Sequence, residues 1–304
     1  EFNLFKIERE CKAIIDSKNI SCDVVPILGD IRDKKNLSFI FKKFPINHVY
    51  HAAAYKHVPL VEDENNLAKA AENNILGTNN LARVSLENNV DSFVMISTDK
   101  AVRPSNVMGA TKRFAEIIIQ SINDKSTTTK FSMVRFGNVI NSSGSVIPLF
   151  LEQITQGGPV TVTDKEVKRY FMTIPEASSL VLQAGEMSTG GEVFILDMGE
   201  QIKIYDLAKK LIHLSGRNYV ENRDDDGIQI LEVGLRPGEK MYEELLISSS
   251  EIETANRKIF KANESFIHEK QLIPIIEKIQ TYIENNDNNG ILNILTKNVE
   301  GFNR

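Results

Sequence analysis

Residues 97–100 read Ser-Thr-Asp-Lys, so two hydroxyls, an acid and a base stand in four consecutive positions. The apolar run at 93–96 predicts a buried strand before them, and Pro-Ser-Asn at 104–106 predicts a turn and a helix N-cap after them. In an open α/β sheet, ligands bind at the carboxyl ends of the strands. The pattern therefore predicts a ligand site here, and the alternative is an ordinary surface loop leading into an amphipathic helix.

The helix predicted after this turn carries Met108 and Lys112 on one face, because the two residues are four positions apart. Asp99 is our candidate acid and Lys100 our candidate base. At ordinary pKa values each has the wrong protonation state at neutral pH, but burial raises the pKa of an aspartate and lowers that of a lysine. An ion pair between these neighbours opposes that effect, and the alternative is an exposed ion pair that contributes little to stability.

The composition is that of a soluble globular protein with room for one large α/β domain or two smaller ones. The chain has 304 residues, a net charge of −5 and no basic patch with interleaved aromatics, which argues against nucleic-acid binding. Its apolar runs are far shorter than a membrane span, and no signal peptide is visible. Two cysteines, and five histidines without ligand spacing, predict a reducing compartment, no disulfide framework and no metal site.

Strand and helix patterns alternate along the chain, which predicts an α/β fold with a parallel sheet. Paired asparagines are unfavourable inside the long helical region 59–88, which suggests a buried polar role for Asn74. Alanines at 52–54 end a strand, where small side chains let a cofactor approach closely, although tight packing explains them equally well. The predicted strands lie at 22–28, 46–51, 93–96, 131–137, 160–163, 192–196, 228–233 and 258–260.

Six motifs stand in order along nearly the whole chain. They read HAAAYKHVPL at 51–60, NNILGT at 73–78, STDKAVRPSNVMGATK at 97–112, RFGNV at 135–139, GSVIP at 144–148 and LRPGEK at 235–240. Together they resemble the polysaccharide-biosynthesis (CapD-like) branch of the extended short-chain dehydrogenases, whose members are NAD-dependent nucleotide-sugar 4,6-dehydratases. The first motif is most similar to the large, membrane-tethered UDP-N-acetylglucosamine 4,6-dehydratases.

The resemblance implies a Rossmann-like doubly wound parallel sheet with a smaller C-terminal substrate-binding subdomain. Residues 1–140 would form the NAD-binding region, joined by the strand near 192–197, and residues 141–304 would mainly bind the nucleotide sugar. The implied reaction converts UDP-N-acetylglucosamine to UDP-2-acetamido-2,6-dideoxy-hexos-4-ulose and water in bacterial surface polysaccharide or glycan synthesis. The resemblance also implies a cytoplasmic homo-oligomer, held at the inner face of the membrane if a tether exists outside this chain.

The same resemblance assigns roles to individual residues. The catalytic positions are Thr98, Asp99, Lys100, Met108 and Lys112. Thr98, and more weakly Ser97, would bond the 4-oxygen, and Lys112 would bond the nicotinamide ribose. The cofactor-binding positions are Asp30, Ile31, Ala52, Ala54, Tyr55, Asn74, Ser97 and Lys112. The substrate-binding positions are Asn138, Thr161, Thr163, Arg169, Arg236 and Glu239, in which the arginines suit a diphosphate unless they are simply surface cations.

Two departures from the family pattern affect these expectations. The Gly-x-x-Gly-x-x-Gly turn that cradles the NAD pyrophosphate does not occur in the 304 residues. We therefore expect this chain to hold NAD weakly and to leave its sheet unfilled, and tight stoichiometric NAD binding would contradict this. Met108 stands where most short-chain dehydrogenases place a catalytic tyrosine, and a thioether does not titrate. An inactive protein is therefore an alternative, although the tethered dehydratases share this feature.

Two further classes of function stay open. A UDP-sugar 4-epimerase or a C5-inverting dehydratase shares the oxidised 4-keto intermediate. An epimerase needs no acid and base for elimination at C6, so the pair Asp99 and Lys100 favours dehydration. The alternative that is not an enzyme is a non-catalytic nucleotide-sugar-binding fragment. Its best support is Met108 together with the missing glycine-rich turn.

Overall fold

The computed structural model describes residues 1–142, 144–222, 226–245 and 251–303. The helices in those ranges are α1 Phe2–Lys18, α2 Lys34–Lys43, α3 Val58–Val61, α4 Glu64–Ala71, α5 Thr78–Glu87, α6 Val107–Asn123, α7 Val146–Thr155, α8 Ile174–Glu186, α9 Ile204–Leu214, α10 Glu269–Glu284 and α11 Asn288–Asn298. A π-helical turn, Glu72–Gly77, joins α4 to α5, and a 3-10 turn covers Asp99–Ala101. None of these helices is both long enough and apolar enough to cross a membrane.

The strands alternate with these helices and confirm the predicted α/β class. They are β1 His48–His51, β2 Ser92–Ile96, β3 Lys130–Arg135, β4 Asn138–Val139, β5 Val160–Val162, β6 Lys168–Arg169, β7 Phe171–Met172, β8 Val193–Leu196, β9 Ile202–Lys203, β10 Tyr219–Val220, β11 Ile228–Glu232, β12 Ile252–Glu253 and β13 Ile259–Ala262. The main sheet of the described residues has the order β1-β2-β3-β8-β13-β12. Its first four strands run parallel, with Val94 of β2 opposite both Tyr50 and Ser132. β13 pairs antiparallel with β8 and with β12.

Helix α6 is buried along almost its whole length. Asn106 caps its N-terminus, because the side chain accepts a hydrogen bond from the Gly109 amide at 2.8 Å. The residues from Val107 to Ile122 are all buried, since β3 packs against one side of the helix and α10 and α11 pack against the other. This burial holds α6 in place. It therefore also fixes the position of the side chains that α6 presents at the end of β2.

Helices cover both faces of the main sheet, which confirms the predicted Rossmann-like doubly wound fold. On one face α4, α5, α6, α10 and α11 share a core with β1, β2 and β3. On the other face α8 packs Leu180 and Ala184 against Val94 and Phe194. A separate small core joins α7 and α9 to a sheet of order β10-β11-β5. The space between the main sheet and this small unit is where the predicted site lies.

The predicted strand at 22–28 is wrong. Residues 20–30 have no regular secondary structure, and no described strand pairs with them. A strand needs a neighbour that pairs with its backbone N–H and C=O groups, and β1, the next strand along the chain, is the edge of the described sheet. The apolar and β-branched residues of this stretch therefore indicate strand propensity without supplying a partner. The other predicted strands are present.

The division of the chain at residue 140 stays a prediction. β8, the strand predicted near 192–197, joins the main sheet between β3 and β13. α10 and α11 belong to the same layer, since Leu272, Ile291 and Phe302 are buried in one core with Ile118 of α6. Residues from both sides of position 140 therefore build the main sheet and the layer of helices that covers it.

Candidate functional site

A cavity of about 490 Å³ lies at the carboxyl ends of β2 and β3 and reaches β5 of the small sheet. It brings together most of the residues whose roles the sequence predicted. Those that line it are Ala52, Ala54, Ser97, Thr98, Lys100, Met108, Lys112, Asn138, Thr161, Thr163, Arg169, Arg236 and Glu239. Asp99 is fully buried and bonds Lys100, whereas Asp30, Ile31, Tyr55 and Asn74 are not part of the lining.

Thr98, Asp99 and Lys100 form a short hydrogen-bonded chain at the end of β2. The hydroxyl of Thr98 donates to Asp99 Oδ1 at 2.8 Å, and Lys100 Nζ donates to the same oxygen at 2.9 Å. Lys100 Nζ also donates to Asn138 Oδ1 at 3.4 Å. The second oxygen of Asp99, Oδ2, is buried and has no hydrogen-bond partner among the described residues. Asp99 therefore keeps spare acceptor capacity next to the cavity.

Lys100 is an ammonium ion in this arrangement. Burial by itself would lower the pKa of Lys100, but the carboxylates of Asp99 and Glu243 outweigh burial and raise the pKa above its ordinary value. From the sequence, burial and ion pairing were expected to shift the pKa of Lys100 in opposite directions. In the structure the ion pair has the larger effect on the pKa of Lys100. A role as a base therefore requires a step that first removes the proton from Lys100.

Backbone packing fixes the position of this chain of residues. The Asp99 amide donates to the Phe136 carbonyl at 3.1 Å, and the Lys100 amide donates to Thr98 Oγ1 at 3.3 Å. A Cβ added at Gly109 would lie only 2.1 Å from the Lys100 carbonyl oxygen. Helix α6 can pack directly against the backbone of Lys100 because residue 109 is a glycine.

Met108 and Lys112 lie on the side of α6 that lines the cavity. Lys112 Nζ donates to the Ile96 carbonyl at 2.7 Å. Burial lowers the pKa of Lys112 to about 8, and the carboxylate of Glu116 opposes this shift. Met108 is 3% exposed, and its thioether offers no titratable proton at the position where a tyrosine is usual.

The π-helical turn Glu72–Gly77 places Asn74 under the loop that follows β1, and the predicted buried polar role is confirmed. The Asn74 side chain accepts from the Tyr55 amide at 2.8 Å and donates to the Tyr55 carbonyl at 3.1 Å. It also donates to Thr111 Oγ1 of α6 at 3.0 Å. Asn74 thus shapes the cavity wall at Ala54 through the backbone of its neighbour, at a kind of helical turn that is frequent at functional sites.

Asp30 and Ile31 lie outside the cavity lining. Asp30 accepts from Arg32 Nε at 3.0 Å and from the Arg32 amide at 2.9 Å, and the side-chain bond in particular lowers the pKa of this carboxyl. Ile31 packs on Gly77, where an added Cβ would lie 2.6 Å from the Ile31 side chain. A role for this pair at an adenine site stays a prediction.

On the opposite wall, Glu239 collects three donors. Its Oε1 accepts from Thr163 Oγ1 at 3.0 Å and from Arg169 Nη2 at 3.0 Å, and its Oε2 accepts from the Arg236 amide at 3.2 Å. Arg169 is buried, so it is not a surface cation. Arg236 also lines the cavity, but it is exposed, and its guanidinium has no ion-pair partner in the part of the chain that the structure describes. Glu239 therefore holds the Arg169 guanidinium and the Arg236 backbone at one wall, and it leaves the Arg236 side chain unpaired.

Thr161 and Asn138 complete the predicted substrate positions. Gln153 of α7 holds Thr161 on both sides, since its amide donates to Thr161 Oγ1 at 2.8 Å and accepts from the Thr161 amide at 3.1 Å. Asn138 begins β4 and accepts from Lys100. The two residues therefore link the small sheet and the end of β3 to the same cavity.

Sequence reasoning missed Glu243. Its side chain is 4% exposed, and its Oε1 lies 3.6 Å from Lys100 Nζ and 3.7 Å from Arg169 Nε. Oε2 is buried without a partner among the described residues. Residue 243 lies in no helix or strand, and the signal available was its place three positions after the LRPGEK motif. Asp99, Lys100, Arg169, Glu239 and Glu243 together form what we name the cavity cluster.

A second charged cluster lies directly beneath Ser97. Arg135 donates from Nε to Glu116 Oε1 at 2.7 Å and from Nη2 to Glu264 Oε2 at 2.7 Å. Arg113 Nη1 lies 3.1 Å from Glu116 and 3.0 Å from Glu264, and Ser97 donates to Glu116 at 2.6 Å. Burial alone would raise the pKa of Glu116, but Arg135 and Arg113 lower it. We name Arg113, Glu116, Arg135 and Glu264 the floor cluster.

The cavity wall fits the nicotinamide end of a dinucleotide. Ala52 and Ala54 leave room on the wall formed by the loop after β1, and Lys112 lies among the lining residues with a buried amine that donates hydrogen bonds. Such a donor suits the hydroxyls of a ribose. Within the described ranges, no group of three or more His, Cys, Asp or Glu side chains is placed to hold a metal ion.

Comparison with known proteins gives relatives over most of the chain. The family described as polysaccharide biosynthesis protein matches residues 1–264. The capsular polysaccharide biosynthesis protein CapD of Staphylococcus aureus is 54% identical over 246 residues, which are 81% of this chain and 39% of that protein. A UDP-N-acetylglucosamine 4,6-dehydratase (inverting) of Campylobacter jejuni is 35% identical over 74% of this chain and 62% of its own length. A UDP-glucose 4-epimerase of Rickettsia rickettsii is 36% identical over 75% of this chain and 63% of its own length.

Solved structures share the fold. Pen from Bacillus thuringiensis has a TM-score of 0.74 and 34% identity, over 92% of this chain and 87% of that one. A UDP-glucose 4-epimerase of Thermus thermophilus in complex with NAD has a TM-score of 0.62 over 72% of this chain and 75% of that one, and at 20% identity it shows the fold alone. The match covers 39% of the length of CapD, so the chain spans about two fifths of that protein. It belongs to the polysaccharide biosynthesis protein family, on the Rossmann-type fold of the extended short-chain dehydrogenases.

Proposed function

We propose that the protein is an NAD-dependent 4,6-dehydratase that converts UDP-N-acetylglucosamine to UDP-2-acetamido-2,6-dideoxy-hexos-4-ulose and water. The observation that carries this proposal is the bonded chain of Thr98, Asp99 and Lys100, because it sets a hydroxyl, an acid and a base at one wall of the cavity. The dehydratase of Campylobacter jejuni, at 35% identity, supports the same substrate class. NAD would accept a hydride from C4 and return it to C6, with its nicotinamide end near Lys112, Ala52 and Ala54.

Thr98 gives the proton of the C4 hydroxyl a route to Asp99. With that hydroxyl bonded to Thr98 Oγ1, the proton released as C4 is oxidised passes through Thr98 to Asp99 Oδ1, which lies 2.8 Å away. Asp99 is then a carboxylic acid, and it donates this proton to the C6 hydroxyl as the C6–O bond breaks. The proton lost at C4 therefore leaves in the water that is formed from the C6 hydroxyl.

Lys100 takes the proton from C5. Protonation of Asp99 removes the nearer of the two carboxylate partners of Lys100, the one at 2.9 Å rather than the one of Glu243 at 3.6 Å. The pKa of Lys100 falls at that step, so the ammonium releases its proton to solvent through the open cavity and the neutral amine becomes a base. A proton from solvent restores the ammonium once Asp99 is again a carboxylate. The amine removes the C5 proton, which the 4-ketone has made acidic, and returns it to C5 as the hydride reaches C6.

Arg236 and Arg169 are the proposed ligands of the diphosphate. Guanidinium groups match phosphate oxygens with paired hydrogen bonds, and Arg236 lines the cavity without an ion-pair partner among the described residues. Arg169 is already bonded to Glu239 at 3.0 Å, so a phosphate has to compete with that carboxylate. Thr161 and Thr163 lie further along the same wall, where the uracil would bind, and Asn138 flanks the phosphates.

Substrate labelled with deuterium at C4, incubated with NAD and a full-length version of the protein, tests the reaction. We expect a 4-keto product that has lost the C6 hydroxyl and carries the deuterium at C6, as measured by NMR. Inversion at C4 with the C6 hydroxyl retained would identify a 4-epimerase instead, which the 36% identical protein of Rickettsia rickettsii makes the second candidate. Inversion at C5 would identify the C5-inverting dehydratase, and UDP binding without any conversion would identify a non-catalytic nucleotide-sugar-binding fragment.

A further inference from the structure

We infer that Glu243 is a positioning residue that joins Lys100 and Arg169 into one unit, so that a diphosphate bound at Arg169 changes the charge environment of Lys100. The inference rests on the proposed function, because it takes Lys100 as the base and Arg169 as a diphosphate ligand. It names a carboxylate that the dehydration mechanism does not itself require.

The geometry of Glu243 is that of a bridge. Its Oε1 lies 3.6 Å from Lys100 Nζ and 3.7 Å from Arg169 Nε, so it pairs with both cations and forms a short hydrogen bond with neither. The Glu243 carbonyl accepts from Gln201 Nε2 at 2.8 Å, which anchors this irregular segment. A buried carboxylate without short hydrogen bonds is costly, so its two cationic neighbours are what stabilise its charge.

The other carboxylates of the cavity cluster each serve one cation. Asp99 pairs with Lys100, and Glu239 pairs with Arg169. Among the described residues, Glu243 is the carboxylate that pairs with both. The charged groups that act on Lys100 are therefore Asp99, Glu243 and, with opposite sign, Arg169. A change at Arg169 reaches Lys100 most directly through Glu243.

Diphosphate binding and Glu243 compete for the same guanidinium. When Arg169 turns to a phosphate, Glu243 loses one of its two cations and its charge acts on Lys100 alone. This holds the ammonium of Lys100 until Asp99 receives the C4 proton, so the base is not released before the sugar is oxidised. The same competition weakens nucleotide binding, because the diphosphate must displace part of the pairing of Arg169.

The rate at which an acylating reagent labels Lys100 tests the first half of the inference without requiring turnover. Lys100 lines the cavity with 20% of its side chain exposed, and its labelling rate follows the fraction of neutral amine. In Glu243→Gln the pKa of Lys100 should fall, because one of its two carboxylate partners is gone, so labelling at pH 8 should rise about tenfold relative to the exposed Lys278, measured by mass spectrometry.

Glu244→Gln is the matched control. It removes the same charge from the next residue, whose side chain is 45% exposed and pairs with Arg103 at 3.2 Å. We expect wild-type labelling of Lys100 in this variant. Glu243→Asp keeps the charge but draws it back by one methylene, so it should give an intermediate rate even if Glu243→Gln folds poorly. Wild-type labelling in both Glu243 variants would overturn the inference.

UDP affinity tests the second half. Glu243→Gln should bind UDP several-fold more tightly than the wild type and Glu244→Gln, because Arg169 is freed from a competing carboxylate. A residue that merely supported the fold would weaken binding or leave it unchanged, so either of those results would also overturn the inference. Failure of the wild-type protein to bind UDP would instead refute the proposed substrate class and, with it, the coupling, while the labelling rates would still report on Glu243 and Lys100.

Discussion

The floor cluster and the cavity cluster contain similar residue types and differ in how completely their acceptors are used. Both oxygens of Glu116 and both oxygens of Glu264 receive a donor from Arg135 or Arg113. In the cavity cluster, the second oxygens of Asp99 and Glu243 have no partner among the residues that the structure describes. The floor cluster uses all four of its carboxylate oxygens to hold α6, β3 and the segment after β13 together, although Arg113 Nε is buried without a partner in the described ranges. A cluster with unused carboxylate oxygens is ready for ligands and protons.

The difference teaches that burial and charge do not identify a functional site by themselves. The side chains of Arg135 and Glu116 are both 0% exposed, and Lys100 is more accessible than either. The informative features are carboxylate oxygens without a donor among the described residues, and the cavity of about 490 Å³ beside them. We therefore expect substitutions in the cavity cluster to affect turnover and substitutions in the floor cluster to affect stability.

The largest expected effect is on turnover in the cavity cluster. In a complete protein that includes the glycine-rich turn, Asp99→Asn and Lys100→Met should each reduce kcat for UDP-N-acetylglucosamine by roughly 10²- to 10⁴-fold, since each removes one partner of the proton transfers. The free energy of unfolding in urea should change far less than kcat. Activity retained by both variants would remove these residues from the mechanism.

Arg135→Met should be the most destabilising change in the floor cluster. It leaves Glu116 and Glu264 as buried carboxylates without their main partner, which costs about 3–5 kcal/mol in the free energy of unfolding. Arg83→Met is a matched control, because the pair of Arg83 with Glu269 is partly exposed, with 26% and 21% of the side chains accessible. That control should lose about 0–1 kcal/mol. If the two variants lost equal free energy of unfolding, burial of the ion pair would not explain the stability of the floor cluster.

Acid should destabilise the protein through Glu116. The folded-state pKa of Glu116 is lowered from 4.5 to about 2, so its stabilisation is present above about pH 4.5 and is lost as the pH falls towards 2. Glu116→Gln should flatten this part of the curve of unfolding free energy against pH, while Glu244→Gln should leave it unchanged. Parallel curves for Glu116→Gln and the wild type would show that another carboxylate governs acid unfolding.

The smallest effect is expected at Met108. Met108→Leu conserves volume, so it should cost less than about 1.5 kcal/mol in unfolding free energy. Because neither side chain titrates, kcat should stay within a few-fold of the wild type. A large fall in kcat at unchanged stability would mean that the thioether itself contacts the reacting groups.

The parts of the site that periodicity alone predicted are local in the chain, whereas the distant positions, such as Arg169 and Glu239, came from the resemblance to a family. Asp99 and Lys100 at a strand end, and Lys112 on the next helix, follow from strand and helix periodicity. Glu243 comes from an irregular segment more than 140 residues after Lys100, and no periodicity brings the two together. The wrong strand at 22–28 has the same origin, because pairing depends on a neighbour that a single stretch of sequence does not specify. Local sequence patterns thus predicted individual strands and helices. Long-range contacts determined which of these strands formed and which side chains came together in the site.

The π-helical turn Glu72–Gly77 has a consequence for the comparison of related chains. The turn holds an extra residue, and that residue sets the direction of Asn74 towards Tyr55. A relative with a regular helix in this place has one residue fewer between Asp63 and Thr78, which rotates the counterpart of Asn74 by about 100°. We therefore expect that deleting one residue from Glu72–Gly77 would turn Asn74 away from Tyr55 and Thr111, so that it no longer joins the loop after β1 to α6.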